Sequence, residues 1–323
     1  MQSVATQRYW QKILTALLFV VALPAFAATP KELLAAGRVD DAIQILQDRI
    51  RHSANDAEAN NLLCRAYFML EDWDHAIDTC ERAKTLDPHV SLYELWLGRA
   101  YGEKADRAGF FSAAGLVRKV RTSFERAVEL DPKSWEARAD LAEFYLDAPG
   151  IVGGGRDKAQ AQANDVAQFN PAVGHWIAAR IAAKNHDTAS AEREYRAAIT
   201  ANQSLGRAWV DLAAFLFRNN RPDDMEQVLR SLESVPVEQH EALRDGASIL
   251  LRAGRNFPLA VRLLRRYLSS PVEEAPAFKA HDMLGQLLEK QGDRQAAVAE
   301  FRAALSLAHT YTRAEEDLKR AER

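Results

Sequence analysis

Apolar residues return along this chain at three- and four-residue intervals, a spacing that gathers them on one stripe of an α-helix. No run of convincing strand length alternates apolar with polar positions, so the pattern predicts an all-α chain. A longer period lies over the helical one. Leu63 and Tyr67 recur 34 positions later as Leu97 and Tyr101, and 44 positions after those as Leu141 and Tyr145. The dipeptide Asp87-Pro88 recurs as Asp131-Pro132 and, with a changed first residue, as Asn170-Pro171, at spacings of 44 and 39. A proline cannot continue a helical ladder and disfavours helical geometry in the residue before it, so each dipeptide reads as the end of a helix. The excess over 34 places insertions inside two consecutive repeats, between the first helix of each and its second.

The residues at the repeating positions resemble the tetratricopeptide repeat family, whose unit pairs two antiparallel helices through a large-apolar, small, Tyr, Ala, aromatic, Ala and Pro pattern. The clearest copies are Leu63, Cys64, Tyr67, Ala76, Cys80, Ala83 and Pro88, and Leu284, Gly285, Leu288, Ala297, Phe301 and Ala304. The resemblance implies a right-handed α-solenoid of helix-turn-helix units. It divides the chain into a partial repeat at 30–54, repeats at about 56–89, 90–133 (insertion 102–119), 134–171 (loop insertion 148–157), 172–204, 205–237, 238–270 and 277–309, and a charged capping helix at 311–323. Such units bury their apolar faces only against neighbours. The stub after residue 30 is therefore expected to leave a thinly covered edge, open to a partner or to a second copy.

The first residues add an address. Arg8 and Lys12 precede an apolar run from Ile13 to Phe26, and Ala25-Phe26-Ala27 fits a small-residue cleavage site, so residues 1–27 read as a cleaved signal peptide, with an uncleaved anchor as the alternative, and the mature chain as periplasmic. No later stretch is long and apolar enough to span a membrane. In an oxidising compartment Cys64 and Cys80 form either a disulfide or an inert buried pair.

Composition narrows the chemistry. A formal net charge of -3 supplies no basic field for nucleic acid. Histidines such as His75, His175, His240 and His281 lack metal-ligand spacing, and no nucleophile elbow is present, so the expectation is a protein with no metal, no cofactor and no enzymatic activity. Its partner is expected to be a protein or peptide, bound by a scaffold or adaptor of the bacterial cell envelope. The alternative is a self-associating, structural subunit of an envelope assembly.

Candidate contacts fall in two places. The resemblance puts the first helix of each repeat on the concave surface, with Arg65, Phe68, Arg99, Trp176 and Arg180 facing inward. The three arginines suit carboxylates, although Glu143 and Asp245 interrupt the array. The insertions supply Phe110 and Phe111 beside basic residues, and Ile151 in the loop leading to Gly153, Gly154 and Gly155. These glycines read either as a connector or as backbone that could cradle an anion.

Overall fold

The computed structural model describes residues 28–270 and 276–323. The proposed signal segment lies outside them, as do the side chains of residues 110–112. Among the described residues the chain forms seventeen α-helices and no strand. After α1 (Pro30–Ala35) and α2 (Val39–His52), the helices pair as α3 (Ala57–Met69) with α4 (Trp73–Leu86), α5 (Ser91–Arg107) with α6 (Phe110–Leu130), and α7 (Trp135–Asp147) with α8 (Arg156–Ala167). The series continues with α9 (Pro171–Lys184) and α10 (Thr188–Ala201), α11 (Gly206–Arg218) and α12 (Pro222–Ser234), α13 (Glu241–Ala253) and α14 (Phe257–Leu268), and α15 (Ala277–Lys290) and α16 (Arg294–Leu307). Helix α17 (Thr312–Ala321) caps the array, burying Ala314, Asp317 and Ala321 while Glu315 and Lys319 face solvent.

The turn inside a pair has a common chemistry. In six pairs the residue two beyond the first helix, or one beyond it in α13, takes a left-handed conformation: Gly37, Glu71, His186, Asn220, Gly254 and Gly292. The N–H of the following residue reaches back five positions, as from Asp72 to Tyr67 (3.0 Å) and from Asp293 to Leu288 (3.0 Å). This is the Schellman closure, which satisfies carbonyls that a helix end would otherwise leave open. Side chains of Asp72, Asp187 and Asp293 then cap the second helix by accepting an N–H three residues on.

The two remaining pairs are those with insertions, and in both the Schellman turn is lost. Residues 102–119 do not bulge out as an inserted piece. They lengthen α5 to 17 and α6 to 21 residues and leave a joint of only Ala108 and Gly109. Leu116 and Val117 give the extension an apolar face that packs on the core. Between α7 and α8 the chain makes a single 3-10 turn, Gly150–Val152, before Gly155. The third proline also differs from its expected role. Asn170 caps α9 by accepting the Val173 N–H, and Pro171 is the first residue of that helix, where a missing N–H costs nothing.

Packing follows the repeat. A β-carbon on Gly98 would lie 2.5 Å from the ring of Phe124, and one on Gly285 would lie 2.5 Å from that of Phe301. Small residues there let the paired axes approach. Cys64 on α3 and Cys80 on α4 are joined by a disulfide, with Cα atoms 5.2 Å apart.

The two ends of the array meet. Leu33, Leu34 and Val39 share one buried cluster with Phe278, Ala304, Ala308 and Ala314. A β-carbon on Gly37 would come within 2.4 Å of that of Ala277. An ion pair of Glu71 with Lys279 and a hydrogen bond from the His309 backbone N–H to the Asp40 carboxylate at 2.9 Å cross the same seam. The thinly covered N-terminal edge expected from the short first hairpin is thus closed by the chain's own last repeats, because Leu33 and Leu34 find an apolar face in Phe278.

Candidate functional site

The first helices α3, α5, α7, α9, α11 and α13 line one cavity of about 860 Å³, together with part of α6 and the segments around Pro149 and Gln239. Trp96, Trp135 and Trp176 stand in its wall with Phe68, Phe124 and Phe144. Polar groups are set between them in fixed pairs. Arg99 donates to Asp140 at 2.6 Å, and Arg207 approaches the same carboxylate at 3.6 Å. Arg180 donates to Glu143 at 2.7 Å, Arg244 to its neighbour Asp245 at 2.5 Å, and the Trp176 indole N–H to Asp211 at 2.8 Å.

Stacking holds the same arginines from the side. The guanidinium of Arg99 lies 5.0 Å from the Trp96 ring centre with Arg65 at 5.1 Å, and Arg180 and Arg207 lie 5.5 and 5.9 Å from that of Trp176, close enough for cation–π attraction. Burial alone would lower the Arg180 pKa, but Glu143 and Asp211 outweigh it and hold that guanidinium charged.

Of the residues expected to face inward, Phe68, Arg99, Trp176 and Arg180 line the cavity. Arg65 lies beside it on Trp96. The arginine ladder does not stand ready for foreign carboxylates, since Arg99 and Arg180 are bound to Asp140 and Glu143 of the next or preceding first helix. Ile151 lies outside the cavity wall and is 93% exposed. Phe110 and Phe111 open α6, and their side chains lie outside the described residues. The wall residues not foreseen include Trp96, Asp140 and Asp211. Each directly precedes a repeat leucine, Leu97, Leu141 or Leu212, a position readable from the repeat once the helix pairs are aligned.

The glycine run is a closed turn. Gly153, Gly154 and Gly155 donate their N–H groups to the carbonyls of Gly150, Pro149 and Tyr145 at 3.0, 3.2 and 2.8 Å, so none is directed at an anion. A β-carbon on Gly154 would lie 1.8 Å from the Ala148 carbonyl oxygen. Arg121 of α6 reaches the Val152 carbonyl at 3.3 Å and the Tyr145 hydroxyl of α7 donates to Glu125 of α6 at 2.9 Å, so the two modified repeats do touch.

Among the described residues no group of three or more His, Cys, Asp or Glu is placed to hold a metal, and no helix is long and apolar enough to cross a membrane. His75, His175 and His281 each contact one carboxylate, of Asp72, Glu194 and Glu300.

Comparison with known proteins agrees with this geometry. Tetratricopeptide repeat models match residues 33–95, 178–236 and 278–311. The structure of yeast Tom70 superimposes with a TM-score of 0.54 at 16% identity, covering 88% of this chain and 58% of that one. A thermophilic tetratricopeptide repeat protein of Thermus thermophilus is 18% identical with a TM-score of 0.49, covering 58% of this chain and 95% of its own. Among curated proteins no match is found. Repeat matches at the start, middle and end of the array, on helix pairs that share one turn and one packing rule, make this chain a tetratricopeptide repeat protein.

Proposed function

We propose that this repeat scaffold works in the bacterial cell envelope and holds a peptide or a segment of a partner protein in the cavity formed by its first helices. The observation that carries the reading is the cavity wall itself. Six consecutive repeats present aromatic rings and immobilised charges to one space of about 860 Å³, within the ~300–1,000 Å³ range of pockets that enclose small ligands. That volume suits a few side chains of an extended segment, with large aromatics as anchors of the kind that dominate binding energy.

Two features support the envelope. The charged, then apolar, then Ala25-Phe26-Ala27 start has the order of an export signal, and the Cys64–Cys80 disulfide belongs to an oxidising compartment.

A photo-crosslinking amino acid placed at Trp135 in living cells should capture a discrete partner, and one placed at the exposed Glu316 should not. Fractionation should find the protein in the periplasm with a mature N-terminus at Ala28. An empty Trp135 lane, or a cytoplasmic chain that begins at Met1, would refute the corresponding half of the reading.

A further inference from the structure

We infer that the occupant of the cavity is a polypeptide segment carrying lysine or arginine side chains. This rests on the scaffold reading above and names the chemistry of its ligand. Ten carboxylates line the cavity against four arginines, Arg99, Arg180, Arg207 and Arg244, and two further cations, Lys184 and Arg107, pair with Asp147 and Glu103 from outside the wall at 2.7 Å each, so that carboxylates still outnumber cations. Each of the four is already engaged with a wall carboxylate, Asp140, Glu143 or Asp245. Three of them also lie against tryptophan faces. An incoming carboxylate would have to break one of these pairs and leave a charge without its partner in a recessed wall, which is costly. An incoming cation breaks nothing and meets a surplus of negative charge, which a cleft with low-dielectric walls focuses into its interior.

The charge is local. The whole chain carries only -3, so the carboxylate excess that remains beyond the rim pairs of Lys184 and Arg107 is offset on other surfaces, and a cation is drawn to this one. The aromatic lining then favours arginine and lysine side chains on a polypeptide over a bare polyamine, because their aliphatic stems and neighbouring apolar residues pack against the half-buried Trp135 and Phe68.

The test uses the mature full-length chain and fluorescence anisotropy with three probes: a labelled peptide alternating lysine and leucine, its glutamate counterpart, and spermine as competitor. The lysine peptide should bind about tenfold tighter than the glutamate peptide at low salt, with the preference shrinking as salt rises. Glu238→Gln and Asp106→Asn, both at exposed positions of the wall, should together weaken it about fivefold, whereas Glu316→Gln on α17 should leave it unchanged.

Tighter binding of the glutamate peptide that responds to the wall variants would overturn the inference and leave the scaffold reading standing. Lysine-peptide binding indifferent to those variants would place the site elsewhere and overturn it too. Displacement by spermine as effective, charge for charge, as by unlabelled lysine peptide would remove the polypeptide claim. Binding of neither peptide while Trp135 still crosslinks a partner would overturn the inference alone. With crosslinking absent as well, both readings fail.

Discussion

The ring of Phe124 occupies the place where a side chain on Gly98 would begin, 2.5 Å from an added β-carbon. Four residues further along the same helix, a β-carbon on Gly102 would meet nothing within 4 Å. The two glycines should therefore respond to alanine with opposite signs. At Gly98 the forced shift of a packed ring costs ~1–3 kcal/mol and outweighs the ~1 kcal/mol gained in helix propensity, so Gly98→Ala should lower stability. Gly102→Ala keeps the propensity term alone and should raise stability by ~0.5–1 kcal/mol. Urea denaturation of both variants checks this, and a common sign would be incompatible with the packing described.

The disulfide joins the two helices of one repeat across a separation of 16 residues. Chain entropy assigns a loop of that size about 3 kcal/mol. Replacing both Cys64 and Cys80 by alanine should shift the denaturation midpoint by a corresponding amount, and adding reductant to unfolded wild-type protein should reproduce the shift on refolding. An unchanged midpoint would mean that the bond adds nothing to the packing of α3 on α4.

A pH dependence is built into the last repeats. Asp282 on α15 is buried and faces Asp317 on α17, with Gln286 donating to both carboxylates at 3.0 and 2.8 Å and Arg313 at 3.4 Å. Burial, and then the Asp317 charge, push its pKa up from 3.8 to about 6, with Arg313 and Tyr311 opposing. The folded state thus holds this proton more tightly than the unfolded chain. Its contribution is present in full below the unfolded value and is lost as pH rises from about 4 through about 6, by about 2 kcal/mol. Paired carboxylates elsewhere slope the other way, so the comparison is with Asp282→Asn, which should gain on wild type over that interval and keep its lead at neutral pH. A constant difference between the two proteins from pH 4 to 7 would exclude the effect.

Phe278 is fully buried and stacks edge-on against Tyr311, with ring centres 4.8 Å apart. It is also the main aromatic at the seam between the chain's two ends. Phe278→Ala should cost ~3–5 kcal/mol and, where the fold survives, widen the molecule as seen by small-angle scattering. A variant of equal stability and unchanged radius would mean that the seam contributes little.

Much of this architecture is legible in the sequence because its signals are local. The recurrence of Leu63, Leu97 and Leu141 finds the pairs, and the small residues opposite Phe124 and Phe301 explain why the helices touch. What the sequence leaves out depends on partners far away along the chain. Arg99 and Arg180 look like open cationic positions until Asp140 and Glu143 are brought alongside, about forty residues off in the sequence, where a small-residue period says nothing of charge pairing. The bare N-terminal edge is a sound inference from a linear array, and it fails because Lys279 stands 208 residues from Glu71 in sequence and within contact in space. Insertion 102–119 is visible as extra length, and apolar positions such as Leu116 and Val117, which pack on the core, show that it lengthens helices.

That seam changes how the repeats should lose structure. In an open array the terminal units fray first, since each has one neighbour only, and unfolding spreads inward unit by unit. Here the first hairpin rests on the last repeats, and Lys279, whose own pKa burial lowers, sits against a Glu71 carboxyl that Lys279 and Arg107 hold below its usual range despite burial. Neither end of the described array is then a free starting point for melting. Amide exchange at Leu33 and at Ala304 should slow together, and a lesion at one end should be felt as faster exchange at the other.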